Sequence, residues 1–377
     1  MYIFDMVKIY EIYLVVIPGL EKSALLEIKE KLCRIDAFQE ISNDGLSLKS
    51  KNLFILLEFI LELRIPTKAL LRIDHFIARD LPKLYKKLSR INWNDYIPTK
   101  EFEVKVSSHN SRLFDDRKII KTVKDAISSY QTAQPYKKKY DELNWSVPAT
   151  IHLRFEEDNC GLSIDCSGER LDKRGIKTLS AKAPMRESIG AALIRYINSS
   201  DVNYDVLIDP MAGSGTIISE FFRQDQRNEQ REFNFRNFPL YRKFAAQKIE
   251  RPQVTPRKAL ARDIDGKNLT AIKENNLEFI ENEWLTIEKM DFFKTESLPE
   301  NSIITCNLPY GKRIKTKEKD IHLFIERFLK KTESLNTKAA FFVMPETFKI
   351  NQKKYQVTRS ERINNGGIWV QFIKVLF

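Results

Sequence analysis

Cysteine is scarce in this 377-residue chain: four residues, Cys33, Cys160, Cys166 and Cys306, with no Cys-x-x-Cys pair. The four histidines lie far from one another and from most of the cysteines. Neither a disulfide framework nor a metal site is therefore expected, and a reducing, cytoplasmic setting fits. Long apolar runs are missing too. No stretch approaches the roughly 20 apolar residues that span a bilayer, so no membrane association is expected. The run "IYLVVIPGL" near the N-terminus has Asp5, Lys8 and Glu11 around it and no basic stretch before it. It reads as a buried first strand, not as a signal peptide. Internal repeats and low-complexity tracts are absent.

What remains is globular in composition, with 42% apolar and 30% charged residues. The length accommodates two or three domains, each with its own core. A formal charge of +12 and a pI near 9.3 point to a polyanionic partner, nucleic acid being commonest. A generally basic surface with no partner is the alternative on charge alone.

Residues 1–74 alternate as β-α-β-β-α-β. "IYLVVIP" is a strand, "EKSALLEIKEKL" a helix, and a hairpin turns at Asn43-Asp44-Gly45. "NLFILLEFILEL" is a second helix and "ALLRIDHF" a fourth strand. That order is the ferredoxin-like plan, which serves binding modules as often as enzymes. Residues 75–167 repeat the mixture, with Ile119, Ile120, Val123, Ala126 and Ile127 on one face of a basic helix. The Lys137–Lys139 run reads as a solvated loop. Residues 168–200 read as a linker with a helix. From 201 to 377 strands and helices alternate regularly, as in a doubly wound α/β domain with a mostly parallel sheet. The fold class is thus α/β, with a Rossmann-like C-terminal domain behind two α+β modules.

"DVLIDPMAGSGTIISE" carries the strongest local signal. A strand ends at Asp209, Gly213 and Gly215 flank Ser214, and a helix follows. Glycine lets the backbone turn sharply and approach a ligand closely, and free N–H groups at a helix start favour a negatively charged group. The stretch matches neither a Walker A loop nor G-x-G-x-x-G. One strand-helix unit later Asp263 falls at a strand end, where a carboxylate can accept two ribose hydroxyls. Asp291 ends the next strand, within reach of an adenine amine. Taken singly, each aspartate is a helix N-cap. Together the three strand ends suit S-adenosylmethionine, a nucleoside with a carboxylate-and-amine tail.

"DPMAGSGT" followed by "NLPYG" resembles the Rossmann-fold RNA methyltransferases that carry a THUMP domain, and most of all their guanine-N2 branch, represented by the bacterial 23S rRNA enzyme. "SIDCSGERLDKRGIK", "APMRESIGAALI" and "VQFIKV" extend the likeness over most of residues 100–377. The resemblance implies a THUMP-like RNA-binding module at 75–167. It implies S-adenosylmethionine held by Asp209, Pro210, Met211, Ala212, Gly213, Ser214, Gly215, Asp263, Ile264, Asp291, Phe292 and Asn307. It implies a catalytic stretch of Asn307, Leu308, Pro309 and Tyr310, RNA as the partner (ribosomal, with transfer RNA the rival), and a monomer. Two departures stand out. Ala212 replaces a frequent cysteine, and Leu308 replaces the first proline of the usual Asn-Pro-Pro-Tyr. Asn-Leu-Pro-Tyr is typical of adenine-N6 dimethylases, but those carry a different cofactor turn and no THUMP region.

The motif has a chemical rationale. An exocyclic base amine is a poor nucleophile with two N–H donors. Asn307 Oδ1 and the Leu308 carbonyl can accept them, aim the nitrogen lone pair and stabilise the developing positive charge. Pro309 fixes the backbone, Tyr310 offers a stacking face, and Gly311 leaves room for a base taken out of its stack. Cys306 points to the opposite strand face and reads as core. Residues 223–258 carry ten basic against four acidic residues, with Phe233, Phe235, Phe238 and Tyr241 interleaved. This suits RNA stacking and phosphate contact, and equally a covering segment with a buried aromatic face. A DNA or protein N-methylase and a non-catalytic RNA-binding protein are the competing classes.

Overall fold

The computed structural model describes residues 8–32, 38–42, 45–97, 101–135, 148–176, 185–243, 257–308 and 321–377. The turn expected at Asn43-Asp44, Cys33, the Lys137–Lys139 run, and Pro309, Tyr310 and Gly311 lie outside them.

The front of the chain runs β1 (Tyr10–Val15), α1 (Glu21–Leu32), β2 (Phe38–Ser42), β3 (Gly45–Ser50), α2 (Leu53–Phe59) and β4 (Lys68–Ile77). It continues as α3 (Leu81–Leu88), β5 (Phe102–His109), α4 (Asp116–Ala133), β6 (Ala149–Glu156) and β7 (Asn159–Asp165). These strands form one seven-stranded sheet ordered β2-β3-β1-β4-β7-β6-β5. β4 pairs with β1 along one edge and β7 along the other, so position 74 falls inside a strand shared by both modules. The register aligns Ile12, Leu71, Ile164 and Ile151 across four strands, all within 1% of full burial. That apolar row is the period-2 face of each strand meeting the helices. α4 starts at Asp115, whose side chain accepts from Lys118 N at 3.2 Å, and buries Ile119, Val123, Ala126 and Ile127.

The rear of the chain runs α5 (Glu187–Asn198), β8 (Val206–Asp209), α6 (Thr216–Arg223), α7 (Pro239–Arg242), β9 (Lys258–Asp263), α8 (Gly266–Asn275), α9 (Leu277–Glu281) and β10 (Leu285–Lys289). Then come β11 (Ser302–Asn307), α10 (Ile321–Ser334), β12 (Ala339–Pro345), β13 (Gln356–Arg359), β14 (Ile363–Asn365) and β15 (Ile368–Leu376). The sheet order is β10-β9-β8-β11-β12-β15-β13, with β14 also on β15. β10 through β12 are parallel along that path, and β15 is antiparallel to its neighbours. Alternate residues serve two cores. Leu207, Ile303 and Phe341 join the core continuous with the front half, while Ile208, Ile304, Cys306 and Phe342 pack with α10 on the other face. The short strands β13 and β14 have no counterpart in the sequence reading.

The basic segment after α6 takes the covering role. Phe233, Phe235 and Phe238 are at most 2% exposed, and Tyr241 stacks on Phe54 at 5.6 Å. Of the two readings open in the sequence, the covering one holds and RNA stacking by these rings does not: each is more stable packed in the core than in water. Arg231 donates to the carbonyls of Ser167, Glu169 and Arg170, and Asn228 N to Leu61 O at 2.7 Å.

Three charges meet at the joint between the halves. Glu220, on α6, accepts from Arg64 Nη1 and from Arg174 Nε, each at 3.2 Å. Arg174 also donates to the Arg64 carbonyl, and the Glu27 carboxylate accepts from the backbone N–H of Arg64 and Ile65 at 3.0 Å. Glu220 and Arg64 are 2% exposed and Arg174 4%. Removing one partner of such a cluster strands the other charges in a low-dielectric setting. Glu220→Ala is therefore expected to cost about 3–5 kcal/mol in chemical denaturation; a loss below about 1 kcal/mol would show that the cluster does not secure the joint.

Candidate active site

β8 lies between β9 and β11, so the chain leaves β8 in opposite directions on its two sides. In an open parallel sheet this switch point leaves a crevice outside the carboxyl ends of the strands. Asp209, Asp263 and Asn307 end these three strands and share that edge.

The β8–α6 loop is held from both ends. Ala212 N donates to Arg262 O at 2.9 Å, and Gly215 N to Ala212 O at 2.8 Å. Gly213 N donates to Asp263 Oδ2 at 2.8 Å. Both glycines have left-handed backbones, φ +55° at Gly213 and +78° at Gly215, where a side chain is strained. Their reasons differ. A Cβ on Gly215 would come within 3.0 Å of Ile272 on α8, whereas a Cβ on Gly213 would stand in open space. Gly215 thus permits helix packing, and Gly213 leaves a cradle. Pro210 is buried and Met211 partly buried against the α10 core. Asp209 is 1% exposed and accepts from Met211 N at 3.2 Å. Burial, with Asp263 nearby, raises its pKa well above the usual carboxylate range.

Asp263 holds more than the loop. Its Oδ1 accepts from Asp265 N at 2.8 Å and from Asn268 Nδ2 at 3.1 Å. A carboxylate has about four acceptor positions, so three protein donors leave room for one ribose hydroxyl and not the two expected from sequence. Asp265, which caps α8, and Asn268 went unnoticed in the sequence, although both sit within one helical turn of Asp263. Ile264 beside them is 68% exposed, an apolar face at the crevice rim. Asp291 caps the turn Phe292–Lys294 and accepts from Phe293 N at 3.0 Å. Phe292 is 3% exposed and packs on Phe328 with centroids 5.0 Å apart, so its ring belongs to the core and only its backbone is left for a ligand.

On the other flank Asn307 ends β11. Its Oδ1 is buried and has no hydrogen-bond partner among the described residues. Ser214 Oγ in the glycine loop is buried and unpartnered likewise. Orphaned polar atoms are costly and call for an explanation; here they flank the crevice that Gly213 leaves open. Leu308 is 2% exposed and Cys306 fully buried, its thiol pushed well above the ordinary range by burial. Among the described residues no cluster of three or more His, Cys, Asp or Glu could hold a metal ion, and no helix is long and apolar enough to cross a membrane.

A family described as "RMKL-like, methyltransferase domain" matches residues 174–366, more than half of the chain. The chain belongs to this RMKL-like methyltransferase family. A THUMP domain matches residues 78–165 in front of it. Among curated relatives, the ribosomal RNA large subunit methyltransferase K/L of Aliivibrio fischeri is 28% identical over 283 residues, 70% of this chain. The chain spans only 39% of that protein's length. YpsC of Bacillus subtilis, provisionally named an RNA methyltransferase, is 25% identical over 80% of this chain and 79% of its own. Among solved structures, TrmN of Thermus thermophilus has a TM-score of 0.67 at 15% identity, covering 98% of this chain and 99% of that one. SMU.472, provisionally named a methyltransferase and solved with SAH, has a TM-score of 0.73 at 20% identity, covering 97% and 98%. These two structures share the overall fold of the chain along its whole length, front half included.

If the Gly213 cradle is the cofactor seat, Gly213→Val, strained at φ +55° and filling the open space, is expected to weaken S-adenosylmethionine binding by about 100-fold or more, and Asp263→Ala by about tenfold. Calorimetry giving unchanged dissociation constants for both folded variants would remove the loop from the cofactor site.

Proposed function

We propose that the chain transfers a methyl group from S-adenosylmethionine to the N2 amine of a guanine in structured RNA, with large-subunit ribosomal RNA the leading substrate and transfer RNA the alternative. The observation that carries the reading is a single crevice with two unlike flanks. One flank is the Gly213 cradle pinned by Asp263; the other is the unsatisfied Asn307 Oδ1. Membership in a methyltransferase family supports the reaction class, the THUMP match supports RNA, and the K/L relatives' name supports ribosomal RNA.

The residues fit the cofactor. Open space at Gly213, one free acceptor position on Asp263 and the apolar rim at Ile264 suit an amino-acid tail, a ribose and an adenine in turn. When bound, S-adenosylmethionine supplies an electrophilic methyl whose carbon–sulfur bond breaks with the electron pair going to sulfur. The chain's part is positional and electrostatic. Asn307 Oδ1, at the end of a buried strand, accepts one N–H of the target amine, and the Leu308 carbonyl accepts the second. Both pull electron density toward the nitrogen, and the acceptors are strongest when positive charge develops there. The surplus proton leaves to water, so no side chain with a tuned pKa is needed. Leu308, buried at 2%, does not line the pocket with its side chain, so its place in the motif bears on backbone direction alone.

Asn307→Ala is expected to lower turnover on RNA by about 10²–10³ while leaving the cofactor dissociation constant within about twofold. Single-turnover methyl transfer and calorimetry read the two quantities separately. Near-normal turnover would take Asn307 out of the mechanism, and equal losses in both would mean that the variant is misfolded.

A further inference from the structure

Asn307 stands opposite Val343 on β12, and β12 runs on to Pro345. The next strand, β15, places Gln371 opposite Met344, and β13 beyond it places Arg359 opposite Ile373. Two strand steps of about 4.8 Å set Gln371 about 10 Å from Asn307, at the same carboxyl edge and on the side away from Gly213. Between these strand ends and the connection from β12 to β13 lies a groove of about 500 Å³.

Its charge is one-sided. Lys349, Lys353 and Arg359 line it against one carboxylate, Glu346. Both lysines are exposed. Arg359 has no carboxylate partner among the described residues: it donates to Gln371 Oε1 at 3.4 Å and to Phe348 O at 3.3 Å. A guanidinium has five N–H donors, so most of its capacity is free on the groove side. Lys353 is carried on a hydrogen-bonded turn. Asn351 Oδ1 accepts from Lys353 N at 3.0 Å, and Asn351 O accepts from Lys354 N and Tyr355 N at 3.2 Å. Phe348 is braced by the His322 ring at 5.0 Å. A partly buried arginine without a carboxylate partner among the described residues, flanked by two exposed lysines, suits phosphate oxygens, which take the fork of a guanidinium bidentately.

We infer that this groove holds backbone phosphates of the RNA strand next to the target nucleotide, and so governs which base reaches Asn307. The inference rests on the reading of the crevice as the methyl-transfer site. The cofactor occupies the β8–β9 side of Asn307, the flanking strand the β12–β15–β13 side, and the target base enters between them.

The test compares the wild-type chain with Lys349→Glu/Lys353→Glu, which changes only exposed side chains, and with Arg359→Gln. Filter binding of ribosomal RNA fragments at several salt concentrations is measured beside steady-state methyl transfer. The lysine pair is expected to raise the KM for RNA about tenfold or more, with a smaller fall in kcat. It should also flatten the slope of log affinity against log salt by about 1–2, one phosphate contact per charge. Arg359→Gln should act in the same direction, with S-adenosylmethionine affinity unaltered in both. Unchanged KM and salt slope in folded variants overturn the inference, as does a wild-type chain that binds no RNA. Filter binding needs no methyl transfer. A wrong assignment of the methylated atom therefore leaves this readout intact and is told apart from failure of the groove.

Discussion

One buried carboxylate sets the geometry of the molecule. Glu220 sits one turn into α6, the helix that begins at Thr216 directly after the glycine loop. It is clasped by Arg64 from the front sheet's connection and Arg174 from the linker. Charges this deep are held only if each keeps its partners. The helix that follows the glycine loop therefore cannot rotate away from the front half without leaving three ions unpaired in an apolar interior. Lys31 on α1 extends the same cluster to the Glu62 and Gln224 carbonyls, tying α1 to the end of α6. On the proposed reading, a THUMP-bearing front half fixed in this way presents RNA to the crevice at a constant distance and angle.

The segment after α6 reinforces the joint by other means. Arg227 and Tyr241 both reach Glu58 on α2, and Arg231 fastens to three carbonyls just beyond β7. Much of the basic charge there is consumed by structure, and the aromatic rings beside it are core. The positive charge free to meet a polyanion lies elsewhere among the described residues. It includes the outer faces of α3 and α4, with Lys86, Lys121 and Lys124 exposed, and the groove beyond β12.

The sequence made the α/β alternation legible because strands buried on both faces read as apolar runs between turn signals, as with "DVLID" and "AAFFVMP". The crevice was legible for a related reason: glycines and aspartates at strand ends have few uses. What stayed hidden was non-local or too short. Arg64 and Glu220 are 156 residues apart and share no periodic pattern. β14 has three residues and β13 four, below the length at which alternation is readable. Phe233, Phe235 and Phe238 lie in an irregular stretch, where spacing cannot separate a buried ring from an exposed one. The strand-end position of Asp263 was legible, but not that most of its acceptor capacity is taken by Gly213, Asp265 and Asn268. That required seeing the loop folded back on the strand end.

The central claim is that the Asn307 flank takes a guanine N2 amine in RNA. The most direct measurement incubates the purified chain with S-adenosylmethionine labelled in its methyl group and with unmodified ribosomal and transfer RNA. The RNA is then digested and the labelled nucleosides are identified by mass spectrometry. The account predicts label in N2-methylguanosine, dependent on Asn307. Label in N6-methyladenosine, or none in either RNA while the cofactor binds, would contradict it.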